Sequence, residues 1–149
     1  MQVKIYKKSE DIKWSRAYKN SSGLDIYPYL NEKLILLPGE YKLINTGLFL
    51  EIPEGFEGQL RSRSGLALNG VIVLNSPATI DSNYRGELKI LLVNLGINPF
   101  MVENQKLAIA QLTFNSIIFP EIEIVNSLNN LTPTERNTKG FGSSDYDLS

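Results

Sequence analysis

Residues 34–61 read LILLPGEYKLINTGLFLEIPEGFEGQLR, and the reading of this stretch decides the fold class. Leu34 to Leu37 form a short apolar run that stops at Pro38-Gly39, a dipeptide that favours a turn. Tyr41 to Ile52 follows as a longer strand region rich in branched and aromatic residues, and Pro53-Glu54-Gly55 closes it. Phe56, Gly58 and Leu60 then lead into Arg61 with polar residues between them. That two-residue period belongs to a strand with one buried face. Helical periodicity is scarce. Short strands separated by turn signals point to a sandwich or barrel.

Outward from this centre the pattern repeats. Val3 and Ile5 alternate with polar partners near the N-terminus. Val71 to Leu74, Glu87 to Leu95, Lys106 to Phe114 and Ile117 to Val125 are further predicted strands. One short helix is expected from Ser64 to Leu68, with Ser64 as its N-cap and Asn69-Gly70 at its end. The spacing from Val71 through Asn75 to Asp81 predicts a hairpin whose tip carries Asn75-Ser76-Pro77. These elements make an all-β single domain over residues 1–125. Residues 126–134 are polar, contain Pro133 and read as a linker. Residues 135–149 are too polar for core and too Gly-rich for a strand, so they read as a flexible arm. Phe141, alone between two glycines, suits a lid residue that covers a ligand.

The chain has 149 residues, 42% of them hydrophobic and 21% charged, with a net charge of -1. That length suits one domain with its own core. The mixed, near-neutral charge gives no sign of a nucleic-acid surface. Cysteine and histidine are both absent, which excludes disulfides, thiolate nucleophiles, imidazole bases and thiolate or imidazole metal sites. Chemistry here falls to carboxylates, hydroxyls, Arg, Lys, backbone amides and a hard metal held by oxygen. The N-terminal MQVKIYKKSED lacks the apolar stretch of a signal peptide, and Val71 to Leu74 is too short to span a membrane. A soluble, cytoplasmic protein without a membrane partner is expected.

Four polar clusters interrupt the strands. Ser22-Gly23-Leu24-Asp25-Ile26 reads as a turn into a strand, with Asp25 as turn former. Arg61-Ser62-Arg63-Ser64-Gly65-Leu66-Ala67 places arginine, hydroxyl and glycine at a helix start, where free amides and a guanidinium fork attract phosphate; a capped helix with two solvated arginines is the alternative. In Thr79-Ile80-Asp81-Ser82-Asn83-Tyr84-Arg85-Gly86, Asp81 suits an Asx turn and Tyr84 suits a core position as well as a site. Gln111 in Ile109-Ala110-Gln111-Leu112 is a single polar residue in an apolar strand.

Taken together, the clusters resemble the five short motifs of the dUTPase family. Ser-Gly-Leu-Asp-Ile (22–26), Arg-Ser-Gly-Leu-Ala (63–67), Ile-Asp-x-x-Tyr-Arg-Gly (80–86) and Ile-Ala-Gln-Leu (109–112) stand in order. Arg136 with Gly-Phe-Gly-Ser-Ser (140–144) completes the set. The chain departs from the usual pattern at Asn83, Ala108, Asn137, Lys139 and Ser144.

The resemblance implies a distorted jelly roll, or β-clip, and a homotrimer with shared active sites, in which the arm closes over a neighbouring subunit's site. It implies Mg2+-dependent hydrolysis of dUTP to dUMP and pyrophosphate, which keeps uracil out of DNA and supplies dUMP for dTMP synthesis. Asp81 is then the catalytic residue that activates water for attack on the α-phosphate, and Asp25 holds the magnesium through water. Arg63, Ser64, Gly65, Gln111 and Arg136 serve the phosphates. Asn75, Thr79, Ile80 and Lys89 serve the uracil edge, Tyr84 the deoxyribose, and Phe141, Gly142 and Ser143 the closed arm. Two rivals remain in view. A dCTP deaminase shares the fold and much of the third motif, but needs a glutamate where this chain has Leu91. The other is a nucleotide-binding regulator that does not turn over.

Overall fold

The computed structural model describes residues 1–140. The chain divides into two compact units, Met1–Ile118 and Phe119–Ser149. The first contains eleven strands and one helical turn. In chain order they are β1 (Lys4–Lys7), β2 (Trp14–Ser15), β3 (Leu24–Ile26), β4 (Leu34–Leu36), β5 (Tyr41–Glu51), β6 (Phe56–Arg61), α1 (Ser64–Ala67), β7 (Val71–Val73), β8 (Ala78–Ile80), β9 (Glu87–Asn94), β10 (Phe100–Val102) and β11 (Ala110–Ser116).

The strands form a four-stranded sheet β1-β5-β9-β7, a five-stranded sheet β2-β3-β11-β6-β8 and a two-stranded ribbon β10-β4. Every pairing is antiparallel. One apolar cluster joins the layers. Ile44, Leu48, Leu50, Ile90, Leu92 and Val73 come from the first sheet, Leu24, Ile26, Leu60 and Leu112 from the second, and Leu36 and Val102 from the ribbon. Each such side chain, fully buried, contributes about 1.5–3 kcal/mol.

Strand β5 carries an irregularity between Asn45 and Phe49. Gly47 stands at φ 68, which favours glycine, and an added Cβ there would meet Ile12. Buried Thr46 bridges the break by donating from Oγ1 to Leu88 O at 2.6 Å. At the sheet's outer edge, the hydrogen bond and charge of Lys4 hold the Glu51 carboxyl below its usual range.

Four expectations change. The helix starts at Ser64, but its cap is Arg63, at φ -92 and ψ 133 with no side-chain cap bond. The Ser64 side chain is therefore left free of a capping role. The expected hairpin over 71–81 does not form a ladder. Val73 pairs with Leu92 in one sheet, whereas Ala78 pairs with Leu60 in the other, so residues 74–77 are a turn that carries the chain between sheets. The strand expected from Lys106 begins at Ala110, because 104–107 form a turn. Residues 117–125 form no strand; Pro120 lacks the amide a ladder needs.

Taken by itself, the described part of the second unit holds one 3-10 turn at Leu128–Asn130, where Ser127 Oγ accepts from Asn129 N at 3.3 Å. Further on, Arg136 Nε donates to Lys139 O at 3.0 Å and Asn137 N to Thr134 Oγ1 at 3.0 Å. No helix of the described residues is long and apolar enough to cross a membrane.

Candidate functional site

The motif residues gather in two concavities on the five-stranded sheet and its borders. The first, of about 430 Å³, is lined by Asp25, Arg63, Ser64, Gly65 and Gln111 together with Ala17, Leu66 and Leu107. Strand pairing explains this meeting. Asp25 on β3 faces Gln111 on β11, which faces Arg61 on β6, the last residue before the loop into α1.

Arg63 does not extend into solvent. Its Nε lies 3.0 Å from Asp25 Oδ1, its Nη2 donates to Asp25 Oδ2 at 3.3 Å, and its Nη1 donates to Ala108 O at 2.8 Å. Both partners are largely buried, with side chains 29% and 16% exposed. A fork that grips both carboxylate oxygens is among the stronger charge-assisted contacts. Gln111 Nε2 donates to Ser62 O at 2.9 Å. Gly23 lies against the Gln111 side chain, so a Cβ there would displace Gln111 Oε1. Beyond Arg63, the first amides of α1 have no intrahelical acceptor and Gly65 has open space before it.

The second concavity, of about 170 Å³, is lined by Thr79, Ile80, Asp81, Tyr84, Glu87 and Lys89. Strand β8 is the edge of its sheet, so one side of Thr79 and Ile80 keeps backbone groups unpaired within this sheet. Asp81 follows directly and its backbone carbonyl accepts from Tyr84 N at 3.1 Å, closing a turn. Tyr84 Oη donates to Glu87 O at 3.0 Å. Its ring lies over Gly86, where a Cβ would run into it. Glu87 Oε1 is occupied by the Gly47 amide at 2.8 Å. Among the described residues, no ion pair or side-chain hydrogen bond engages the Asp81 carboxylate. It is the free carboxylate of this pocket.

Asn75 is exposed on the 74–77 turn. Arg136 belongs to the second unit, and Phe141, Gly142 and Ser143 lie outside the described residues. Leu91 pairs with Leu43 on the other sheet and lines neither concavity. Sequence reasoning gave no role to Ser62, Gly86 or Ala108 O; only contacts in space reveal them.

No three His, Cys, Asp or Glu among the described residues could together hold a metal ion. The donors at the larger concavity are nonetheless hard oxygens: one Asp25 carboxylate, the Ser64 hydroxyl and Gln111 Oε1. This set fits a magnesium ion that keeps most of its waters, and does not fit a direct protein cage.

Comparison with known proteins agrees with this geometry. The dUTPase family model matches residues 10–145. A deoxyuridine 5'-triphosphate nucleotidohydrolase of Thermoanaerobacter sp. (strain X514) is 45% identical over 125 residues, 83% of this chain and 82% of the relative. One from Brucella melitensis biotype 2 is 48% identical over 126 residues, 83% of this chain and 78% of the relative. Among solved structures, the Staphylococcus bacteriophage 80alpha dUTPase G164S mutant with dUpNHpp superposes with a TM-score of 0.82 at 26% identity, covering 96% of this chain and 98% of that one. The all-β architecture is thus the jelly roll of those proteins, and the chain belongs to the dUTPase family, enzymes that hydrolyse deoxyuridine triphosphate.

Proposed function

We propose that the chain hydrolyses dUTP to dUMP and pyrophosphate by water attack on the α-phosphorus, with Asp81 as general base. The observation that carries this reading is the unengaged carboxylate of Asp81 beside a pinned Tyr84 and an open strand edge. Asp81 takes a proton from water as the water oxygen bonds to the α-phosphorus. The bond from that phosphorus to the bridging oxygen breaks, and pyrophosphate leaves with the electron pair. Such a base contributes about 10²–10⁴ in rate; charge neutralisation and positioning supply the rest.

Ser64 and Gly65 present hydroxyl and amides to the phosphates, and Gln111 orders phosphate or its waters. Arg63, anchored on Asp25, adds positive charge at the rim. Arg136 reaches the γ-phosphate. Asp25 and Gln111 would hold magnesium through its waters; when bound, that ion draws charge from the three phosphates.

Asn75 and the backbone at Thr79, Ile80 and Lys89 read the uracil edge. Cytosine offers the opposite donor and acceptor pattern and would leave buried groups unpaired, which is heavily penalised. Phe141 stacks on the base, and Gly142 and Ser143 complete the closed arm. Removing dUTP keeps uracil out of DNA and supplies dUMP for dTMP synthesis. A deaminase reading finds no support, because Leu91 cannot move a proton.

Tyr84 lies against the deoxyribose and leaves no room for a 2′-hydroxyl. Gly86 makes that pose possible. Gly86→Ala is expected to push the ring off its seat and shrink the preference for dUTP over UTP by at least about tenfold. The ratio of kcat/KM for the two nucleotides measures it; an unchanged ratio would remove Tyr84 as the sugar gate.

The two concavities stand apart on one chain, which favours their serving as halves of different nucleotide sites. Asp25 shares a cross-strand row with Gln111 and Arg61, whereas Asp81 follows Ile80, which faces Gly58. β3 and β8 stand three strand steps apart. With about 4.8 Å per strand step and 3.4 Å per residue, the backbone positions of the two aspartates are roughly 20 Å apart. In the homotrimer that the family resemblance implies, each site would take its base half from one copy and its phosphate half from another, and this separation supports that reading.

The test is pyrophosphate release with magnesium from dUTP, dCTP, dTTP and UTP in parallel, with sedimentation giving the assembly state. Release from dUTP alone by a trimer is expected. Binding of dUTP without release would replace the enzyme reading with a nucleotide-responsive regulator.

A further inference from the structure

Ser62 stands between Arg61, the last residue of β6, and Arg63, the cap of α1. Its three polar groups reach three different places. Ser62 Oγ accepts from Val73 N at 2.9 Å, Ser62 N donates to Ser76 Oγ at 3.2 Å, and Ser62 O accepts from Gln111 Nε2 at 2.9 Å. β7 is the edge of its sheet, so the Val73 amide that meets Ser62 has no strand to serve it on that side.

Val73 and Ser76 bracket the turn that presents Asn75, and Gln111 lines the phosphate concavity. One residue thus fastens the turn, the loop into α1 and β11 together. We infer that Ser62 is a positioning residue, which sets the spacing between the base-reading turn and the phosphate-binding loop. The inference rests on the nucleotide-site reading above.

A nucleotide that bridges two subsites depends on their spacing, whereas fragments that fill one subsite do not. In a trimer whose sites combine one copy's turn with another's loop, Ser62 of each copy still fixes where both segments stand on that copy's sheets.

The experiment compares Ser62→Ala and Ser76→Ala with the unaltered chain. Ser76 is exposed, so its variant reads the tie without threatening the fold. Affinity for magnesium dUpNHpp is measured by calorimetry, and deoxyuridine and magnesium tripolyphosphate are each measured as inhibitors of dUTP hydrolysis. One lost hydrogen bond predicts a fall of about five- to tenfold for dUpNHpp, with both fragments within about twofold. The inference is overturned if dUpNHpp affinity is unchanged in both variants, or if either fragment weakens as much as the whole ligand. Failure of the nucleotide-site reading looks different: the unaltered chain would then neither bind dUpNHpp nor hydrolyse dUTP.

Discussion

Asp81→Asn is expected to lower pyrophosphate release from dUTP by about 10²–10⁴-fold while changing dUpNHpp affinity by less than about threefold. Asparagine keeps the size of the side chain but cannot take a proton from water. The side chain is exposed, and the turn it begins is closed by the Asp81 backbone carbonyl on Tyr84 N, which the substitution leaves in place. Thermal stability should therefore stay within about 0.5 kcal/mol, the usual range for surface changes. Affinity should hold because Asp81 meets water and not the phosphates. Single-turnover rates and calorimetry on the same preparation separate the two quantities. A rate loss below tenfold would move the base elsewhere. Glu87, the other carboxylate lining this pocket, would then be examined, although its Oε1 already serves the Gly47 amide.

The strand content was legible because β6 carries the two-residue period of a half-buried face, while β5 and β9 show as runs rich in branched and aromatic residues between turn signals. Pairing was not. Val71 to Val73 and Ala78 to Ile80 flank a turn as hairpin strands do, yet each finds a better-matched neighbour in a different sheet. Such a choice rests on contacts distant in sequence. Buried polar ties were equally silent. Asn94 is fully buried and donates to Leu36 O at 2.9 Å and Asn98 O at 2.8 Å. Gln105, at φ 52, donates to Pro28 O at 2.7 Å. Neither lies in a pattern that announces burial. Ile122 and Ile124 alternate with Glu121 and Glu123 as a strand would, but both are exposed. Periodicity shows that a face can be buried and not what buries it. The candidate site residues Asp25, Ser64, Asp81, Tyr84 and Gln111 were named through motif order. Their separation into two concavities needed strand register.

Arg63→Ala tests a link no local motif expresses, because Arg63 and Asp25 are 38 positions apart. The substitution leaves a largely buried carboxylate without its fork and frees Ala108 O. It is expected to destabilise the fold by about 1–3 kcal/mol and weaken magnesium dUpNHpp binding by at least about tenfold. Lysine should restore little, since a point charge cannot grip two carboxylate oxygens and a carbonyl at once. Combining Arg63→Ala with Asp25→Asn separates the roles. Removing both charges relieves the unpaired carboxylate, so most of the lost stability should return. Nucleotide binding should not return, because the positive charge and the group that holds the metal waters are then both gone. Denaturant unfolding and calorimetry on the three variants read the two arms. If the double variant recovers binding together with stability, neither the Arg63 charge nor the Asp25 carboxylate holds the nucleotide, and the pair is only a structural tie. If stability stays low in the double variant, the bond to Ala108 O is what secures the loop, and the pair with Asp25 is secondary.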